Sequence, residues 1–178
     1  MTYYLYDYIL HLQTPNGSFH IDPILEEYTY GDTEREADWI LSNIKPDDIV
    51  FFHVTIKGDR YITAMYFVES VVNGDIARTN PDIVNRYRNP HLSPNFLEYR
   101  EDAIIFGDHE RSKMFQPPII FDRELAQKLS LNISFDTIDR TGRRRTDLEC
   151  IASATRMARE LTDNDFRIIL QEGIHKWP

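Results

Sequence analysis

Apolar and polar positions alternate most clearly between Asp47 and Val72, where two runs rich in β-branched and aromatic residues flank the short polar link Lys57-Gly-Asp-Arg. That pattern predicts an antiparallel hairpin of Asp48–Ile56 and Tyr61–Val72. Val50, Phe52, Val54 and Ile56 fall on one side of the first strand, and Ile49, Phe51, His53 and Thr55 on the other. Both sides are largely apolar, so the hairpin belongs at the centre of the fold, covered on both faces. His53 is the exception on its side, and the first candidate for chemistry.

Other elements follow from local period and punctuation. Tyr3 to Leu12 reads as a strand that stops at Thr14-Pro-Asn-Gly, and its four tyrosines suit an edge strand with hydroxyls at the rim. Asp22–Glu27 is a short helix or turn, and Tyr28–Thr33 a polar segment. Glu34–Ile44 has Thr33 as cap, acids in its first turn and Ala37, Ile40, Leu41 and Ile44 at helical spacing. Trp39 lies near that stripe. Asn73-Gly-Asp reads as a turn, Pro81–Arg88 as a short helix, and Asn89–Asn95, with two prolines, as a rigid loop. Asp102–Asp108 is a strand, followed by a polar connection from His109 through Pro118. Phe121–Leu131 is a helix capped by Asp122, and Asn132–Phe135 a short strand. Thr146 or Asp147 caps a helix with Leu148, Ile151, Ala152, Thr155, Ala158 and Leu161 on one face, and a last helix runs through Leu170 to a stop at Gly173.

At 178 residues the chain suits one domain, residues 1–178. No run reaches the roughly 18 apolar residues of a membrane span, and the first residues lack the pattern of a signal peptide, so no membrane partner and a cytoplasmic location are expected. Cys150 is the only cysteine, which excludes an internal disulfide and a cysteine zinc cluster. The formal net charge is −9, contrary to bulk attraction for nucleic acid. Its distribution is uneven. Residues 1–60 carry 11 acids and 4 bases, whereas residues 137–160 carry 4 acids and 6 arginines, a local basic segment around Arg143, Arg144, Arg145 and Arg156.

Among catalytic patterns, His53-Val-Thr55 places an imidazole and a hydroxyl on one side of a strand, as in the paired His-x-Thr/Ser motifs of two-histidine phosphoesterases. Its only partner would be His91-Leu-Ser93, which Pro90 and Pro94 bracket and so keep out of a central strand. A phosphoesterase or other nucleotide-processing enzyme is therefore the second reading. The chain has no Pro-Cys-x-x-Cys, no Gly-x-x-x-x-Gly-Lys loop and no Gly-x-Ser-x-Gly elbow, and no two of its six histidines are four apart. No metal and no cofactor are expected.

The helix carrying Trp39, the Pro-Asp-Asp turn, the strand Ile49-Val-Phe-Phe-His and a partner ending Phe67-Val-Glu-Ser-Val-Val resemble the PUA-like superfamily, with its EVE, ASCH and YTH domains. Asp102-Ala-Ile-Ile-Phe-Gly-Asp-His-Glu-Arg-Ser-Lys, Pro117-Pro-Ile-Ile-Phe-Asp-Arg-Glu-Leu and Ser153-Ala-Thr-Arg156 look like the nucleotide-modification-associated domains placed there. The resemblance implies an α+β fold, a twisted PUA-like β-barrel with flanking helices. It also implies a noncatalytic reader of a modified base, held in a pocket at the barrel mouth. Trp39, Phe52, His53, Tyr66, Asp108, Arg111 and Ser112 are then the base-binding candidates, since flipped bases are held by stacking and by hydrogen bonds to their edges. Arg143, Arg144, Arg145 and Arg156 are the phosphate-binding candidates. The expected partner is nucleic acid carrying a modified base, or a free nucleotide. A module that binds a protein partner through the acidic first third is the third reading.

Overall fold

The computed structural model describes residues 1–8, 12–13, 19–20, 23–87, 89–92 and 101–175. In chain order the first elements are β1 (Tyr3–Asp7), β2 (Leu12–Gln13), β3 (Phe19–His20), β4 (Thr29–Asp32), α1 (Glu34–Asn43), β5 (Ile49–Ile56) and β6 (Asp59–Asn73). Then come α2 (Gly74–Thr79), α3 (Pro81–Tyr87), a 3-10 turn at Pro90–Leu92, β7 (Ala103–Gly107) and β8 (Lys113–Ile120). The last are α4 (Arg123–Lys128), α5 (Asp147–Ala154), β9 (Arg159–Leu161) and α6 (Asp163–His175). The fold is mixed α and β. Two compact units form: Met1, Ile9–Asp48 and Tyr66–Lys113 make the first, and Thr2–Tyr8, Ile49–Met65 and Met114–Pro178 the second.

The second unit is built on the expected hairpin. Lys57 and Gly58 both take positive φ, 51° and 93°, and so close a two-residue turn that only antiparallel strands can share. Strand order is β6, β5, β1, β9, with β8 also on β6. β1 runs parallel to β5, Tyr3 opposite Ile49 and Asp7 opposite His53, and antiparallel to β9, Tyr3 opposite Leu161. This corrects the edge-strand expectation. β1 has neighbours on both sides, and Tyr3, Tyr4, Tyr6 and Tyr8 are all buried. Phe51 stacks on Phe115 at 6.4 Å, and Tyr3 on Phe166 of α6 at 4.6 Å.

Tertiary pairing revises several local expectations in this unit. The connection through Pro117 and Pro118 is strand β8, and the helix after Thr146 stops at Ala154 because Arg159–Leu161 is taken up by β1. α4 is confined to Arg123–Lys128, and Asn132–Phe135 forms no strand. α6 continues through Gly173 instead of ending there. A Cβ on Gly173 would lie 3.0 Å from the Phe115 ring, so the glycine allows close packing of helix on strand.

In the first unit β4 and the later part of β6 flank β7. The segment read as polar, Tyr28–Thr33, is mostly β4, and Asn73 starts helix α2, its side chain accepting from the amides of Asp75 and Ile76. α1 is as expected, with Ala37 and Ile40 buried, but the Thr33 side chain makes no cap; Asp102 Oδ2 accepts from the Glu34 amide instead. Tyr87, Leu92, Ile104, Phe106 and Ala77 pack as one apolar cluster. Neither strand order closes on itself among the described residues. Ile9, Leu10 and His11 of the expected first strand, the Thr14–Gly17 turn and the loop beyond Leu92 lie outside the described residues.

Candidate nucleic-acid interface

The second unit places His53 on β5 beside two neighbours whose own strands aim polar groups at it. The β1 register sets Asp7 across from it, and on β6 Arg60 shares the inward side with Ile62, Ala64, Tyr66 and Val68. Arg60 Nε donates to His53 Nδ1 at 2.9 Å, and Nη1 to Thr55 Oγ1 at 3.3 Å. Arg60 Nη2 forms an ion pair with Asp7 Oδ1 at 2.5 Å. The His53-x-Thr55 motif thus serves as a pair of acceptors for a buried guanidinium. Burial, and then the charge of Arg60, hold the imidazole well below its usual pKa, so His53 is neutral and acts as acceptor through Nδ1. Burial raises the Asp7 carboxyl, against the pull of Arg60.

Beyond this cluster lies a solvent-open cavity of about 250 Å³. Gly58, Asp59 and Arg60 contribute from the hairpin, Ile120 to Glu124 from the end of β8 and the start of α4, and Asp147, Leu148 and Ile151 from α5. Phe121 joins the two features. Its ring meets His53 edge-on, with centroids 5.6 Å apart, and its amide donates to the Arg60 carbonyl at 2.7 Å. The volume is below the roughly 300–1,000 Å³ of drug-sized sites and suits a single small ring system.

At the cavity wall, Arg123 ties α4 to the basic segment. It reaches Asp136 at 2.9 Å and Asp147 at 3.2 Å, and its guanidinium lies 4.7 Å over the Phe135 ring. Asp136 also pairs with Arg144, and between the two arginines its carboxyl is held at about 2. Arg143 pairs with Asp139 at 3.2 Å and Glu149 at 2.6 Å, and Glu149 is likewise held at about 2. Glu149 also completes the capping box of α5 with Thr146. Arg145 and Arg156 form no ion pair among the described residues, nor does Arg140 in the loop that the bridge between Ile138 and Arg144 closes.

Four base-binding candidates come together in the first unit, around Phe67. Ser112 Oγ accepts from the Phe67 amide at 3.0 Å, the Asp108 amide donates to the Phe67 carbonyl, and the Arg111 guanidinium lies 5.1 Å over the Phe67 ring. Asp108 accepts from the amides of Glu110 and Arg111 and from Arg111 Nε, which together lower its pKa. Tyr66, next to Phe67, is fully buried, its hydroxyl 3.4 Å from the carbonyls of Ile24 and Thr29 and its ring edge-on to Tyr28. Trp39 is half-buried on α1, and its carbonyl accepts from the Asn43 side chain.

The remaining candidates, Phe52, His53, Arg143, Arg144, Arg145 and Arg156, belong to the second unit. Phe52 is fully buried against Tyr6 and Tyr8. His91, the other half of the phosphoesterase reading, is fully buried in the first unit with Nδ1 2.6 Å from Glu101 Oε1, and Arg78 Nη2 donates to Glu101 at 2.8 Å. Ser93 lies outside the described residues. No group of side chains suited to a metal ion occurs among the described residues, and no helix among them is long and apolar enough to cross a membrane.

Sequence reasoning passed over Arg60, Phe121 and Arg123. Arg60 left a readable signal: a cation at the start of an alternating apolar face that also holds Ile62, Ala64 and Tyr66. Phe121 and Arg123 left none, because their role depends on β8 passing through two prolines to reach β6.

No family model and no curated protein matches the chain. Among solved structures, it is similar to human THYN1 protein in complex with 5-methylcytosine-containing DNA, at 14% identity and a TM-score of 0.47 over 100% of both chains. It is also similar to the DUF55 domain of human thymocyte nuclear protein 1, at 16% identity and a TM-score of 0.47 over 96% of this chain and 98% of that one.

Proposed function

We propose that the protein is a noncatalytic reader of a modified base in nucleic acid, with the cavity of the second unit as base pocket and its arginine-bearing loop as phosphate contact. The observation that carries this reading is the cavity itself. It lies directly beyond the partners of His53, has Phe121, Leu148 and Ile151 as apolar lining, and is joined at its wall to the basic segment through Arg123. The reading includes the PUA-like barrel that the sequence resemblance implies. A ring of nucleobase size fits about 250 Å³, and apolar lining is what distinguishes a methylated base from a plain one.

The test is fluorescence anisotropy with matched oligonucleotides, plain or carrying one modified base, with 5-methylcytosine among the modifications. Burying one added methyl is worth about 0.8 kcal/mol, roughly fourfold in affinity. A preference of that order should appear for one modification, and Leu148→Trp, which fills the cavity, should abolish it while melting remains cooperative. Absence of binding across the panel, or a preference that Leu148→Trp leaves intact, would refute the assignment.

A further inference from the structure

Charge accounting in the second unit separates where a base can bind from where a phosphate can. Both cations at the cavity are committed: Arg60 to His53, Thr55 and Asp7, and Arg123 to Asp136 and Asp147. The other ionisable lining groups are Asp59, Asp122, Glu124 and Asp147. Asp122 uses Oδ1 to cap α4 and Glu124 pairs with Lys128, so the oxygens left to a ligand are acceptors. Such a lining accepts N–H donors from a base edge and repels a phosphate.

The basic segment divides in the same way. Arg143 and Arg144 are latched to Asp139, Glu149 and Asp136, and drawing either onto a phosphate would cost an existing ion pair. Arg140, Arg145 and Arg156 have no such partner among the described residues. Arg140 and Arg156 are exposed, and Arg145 is half-buried. Arg145 precedes α5 and Arg156 follows it, and the 8 residues of that helix span about 12 Å. One phosphate cannot bridge that span, whereas about four or five successive phosphates at roughly 3.4 Å of rise each can.

We infer that the ligand is a nucleic-acid strand and not a free nucleotide: the cavity takes a base through that base's N–H donors, and Arg140, Arg145 and Arg156 hold phosphates of the strand outside it. This rests on the base-reader assignment and deepens it. Arg143, Arg144 and Arg123 then serve to hold the loop and the cavity wall in place, a positioning role.

Two measurements on the full chain test it. In competition against a labelled oligonucleotide, a nucleoside's 5′-monophosphate should displace no more strongly than the nucleoside itself, the added phosphate finding no free cation in the cavity and meeting its carboxylates. In a salt series with a single strand, each of Arg140→Gln, Arg145→Gln and Arg156→Gln should make the slope of log affinity against log salt shallower by about 0.7. Arg143→Gln and Arg144→Gln should leave that slope unchanged and lower the melting temperature instead. A monophosphate tenfold or more stronger than its nucleoside would overturn the inference. So would a slope that responds to Arg143 and Arg144 but not to the other three. In either case the base-reader assignment would stand. If no nucleoside and no strand binds, that assignment fails and the inference falls with it.

Discussion

Replacing His53 by glutamine should flatten the acid limb of the stability–pH curve. In the unfolded chain the imidazole titrates near 6.5, whereas in the fold burial and the adjacent Arg60 hold its pKa well below that value. Below pH ~6.5 the unfolded state therefore binds one more proton than the native state, and stability contributed above that pH is lost as the pH falls. One unit below, at pH 5.5, the loss is about 1.4 kcal/mol, and each further unit adds about as much until the native pKa is reached. The geometry gives the cause: a protonated Nδ1 could no longer accept from Arg60 Nε at 2.9 Å, and two cations would face each other in the core. Asp7, 3.6 Å from Nδ1, offsets part of this. Its own raised pKa acts in the opposite sense, stabilising at low pH and losing that contribution as pH rises from about 3.9, and it is present in both proteins. Glutamine keeps an acceptor oxygen for Arg60 and does not titrate. Urea unfolding at pH 7.5 and 5.5 reads the effect: with m of about 1–3 kcal/mol/M, the wild-type midpoint should drop by roughly 0.5–1.4 M more than that of His53→Gln. Equal drops in the two proteins would refute a neutral, buried His53.

Arg60→Met should cost about 3 kcal/mol in chemical denaturation, because Asp7, with a side chain only 29% exposed, loses its cation, and adding Asp7→Asn should recover part of that loss. Gly74→Ala should cost roughly 3 kcal/mol, since a Cβ there would lie 1.9 Å from the Glu101 carbonyl oxygen; a thermal melt within a degree of wild type would contradict the packing described. Thr146→Ala removes the capping box of α5 and should lower stability by about 1 kcal/mol, measured by the same melts.

The alternation of Ile49–Ile56 and of Asp59–Asn73, with a glycine between them, determined the hairpin without help from the rest of the chain, because a two-residue turn and its flanking strands are specified by neighbouring residues. The same holds for α1, α3, the Asp122 cap and the Thr146 cap, all local devices. Long-range pairing decided the rest. Nothing in Tyr3–Asp7 says that it will lie between β5 and β9, and nothing in Arg159–Leu161 says that it will leave a helical pattern to become a strand; each depends on partners more than 40 residues away. The candidate site divided along the same line. His53 was conspicuous as a polar residue on an apolar strand, but its role as acceptor for Arg60 required the neighbouring strands to be in register. The run of arginines at Arg143–Arg145 was equally visible as charge. Which of those charges are latched and which form no ion pair among the described residues was decided only when Asp136, Asp139 and Glu149 were folded against them, since an ion pair depends on distances that sequence order does not contain.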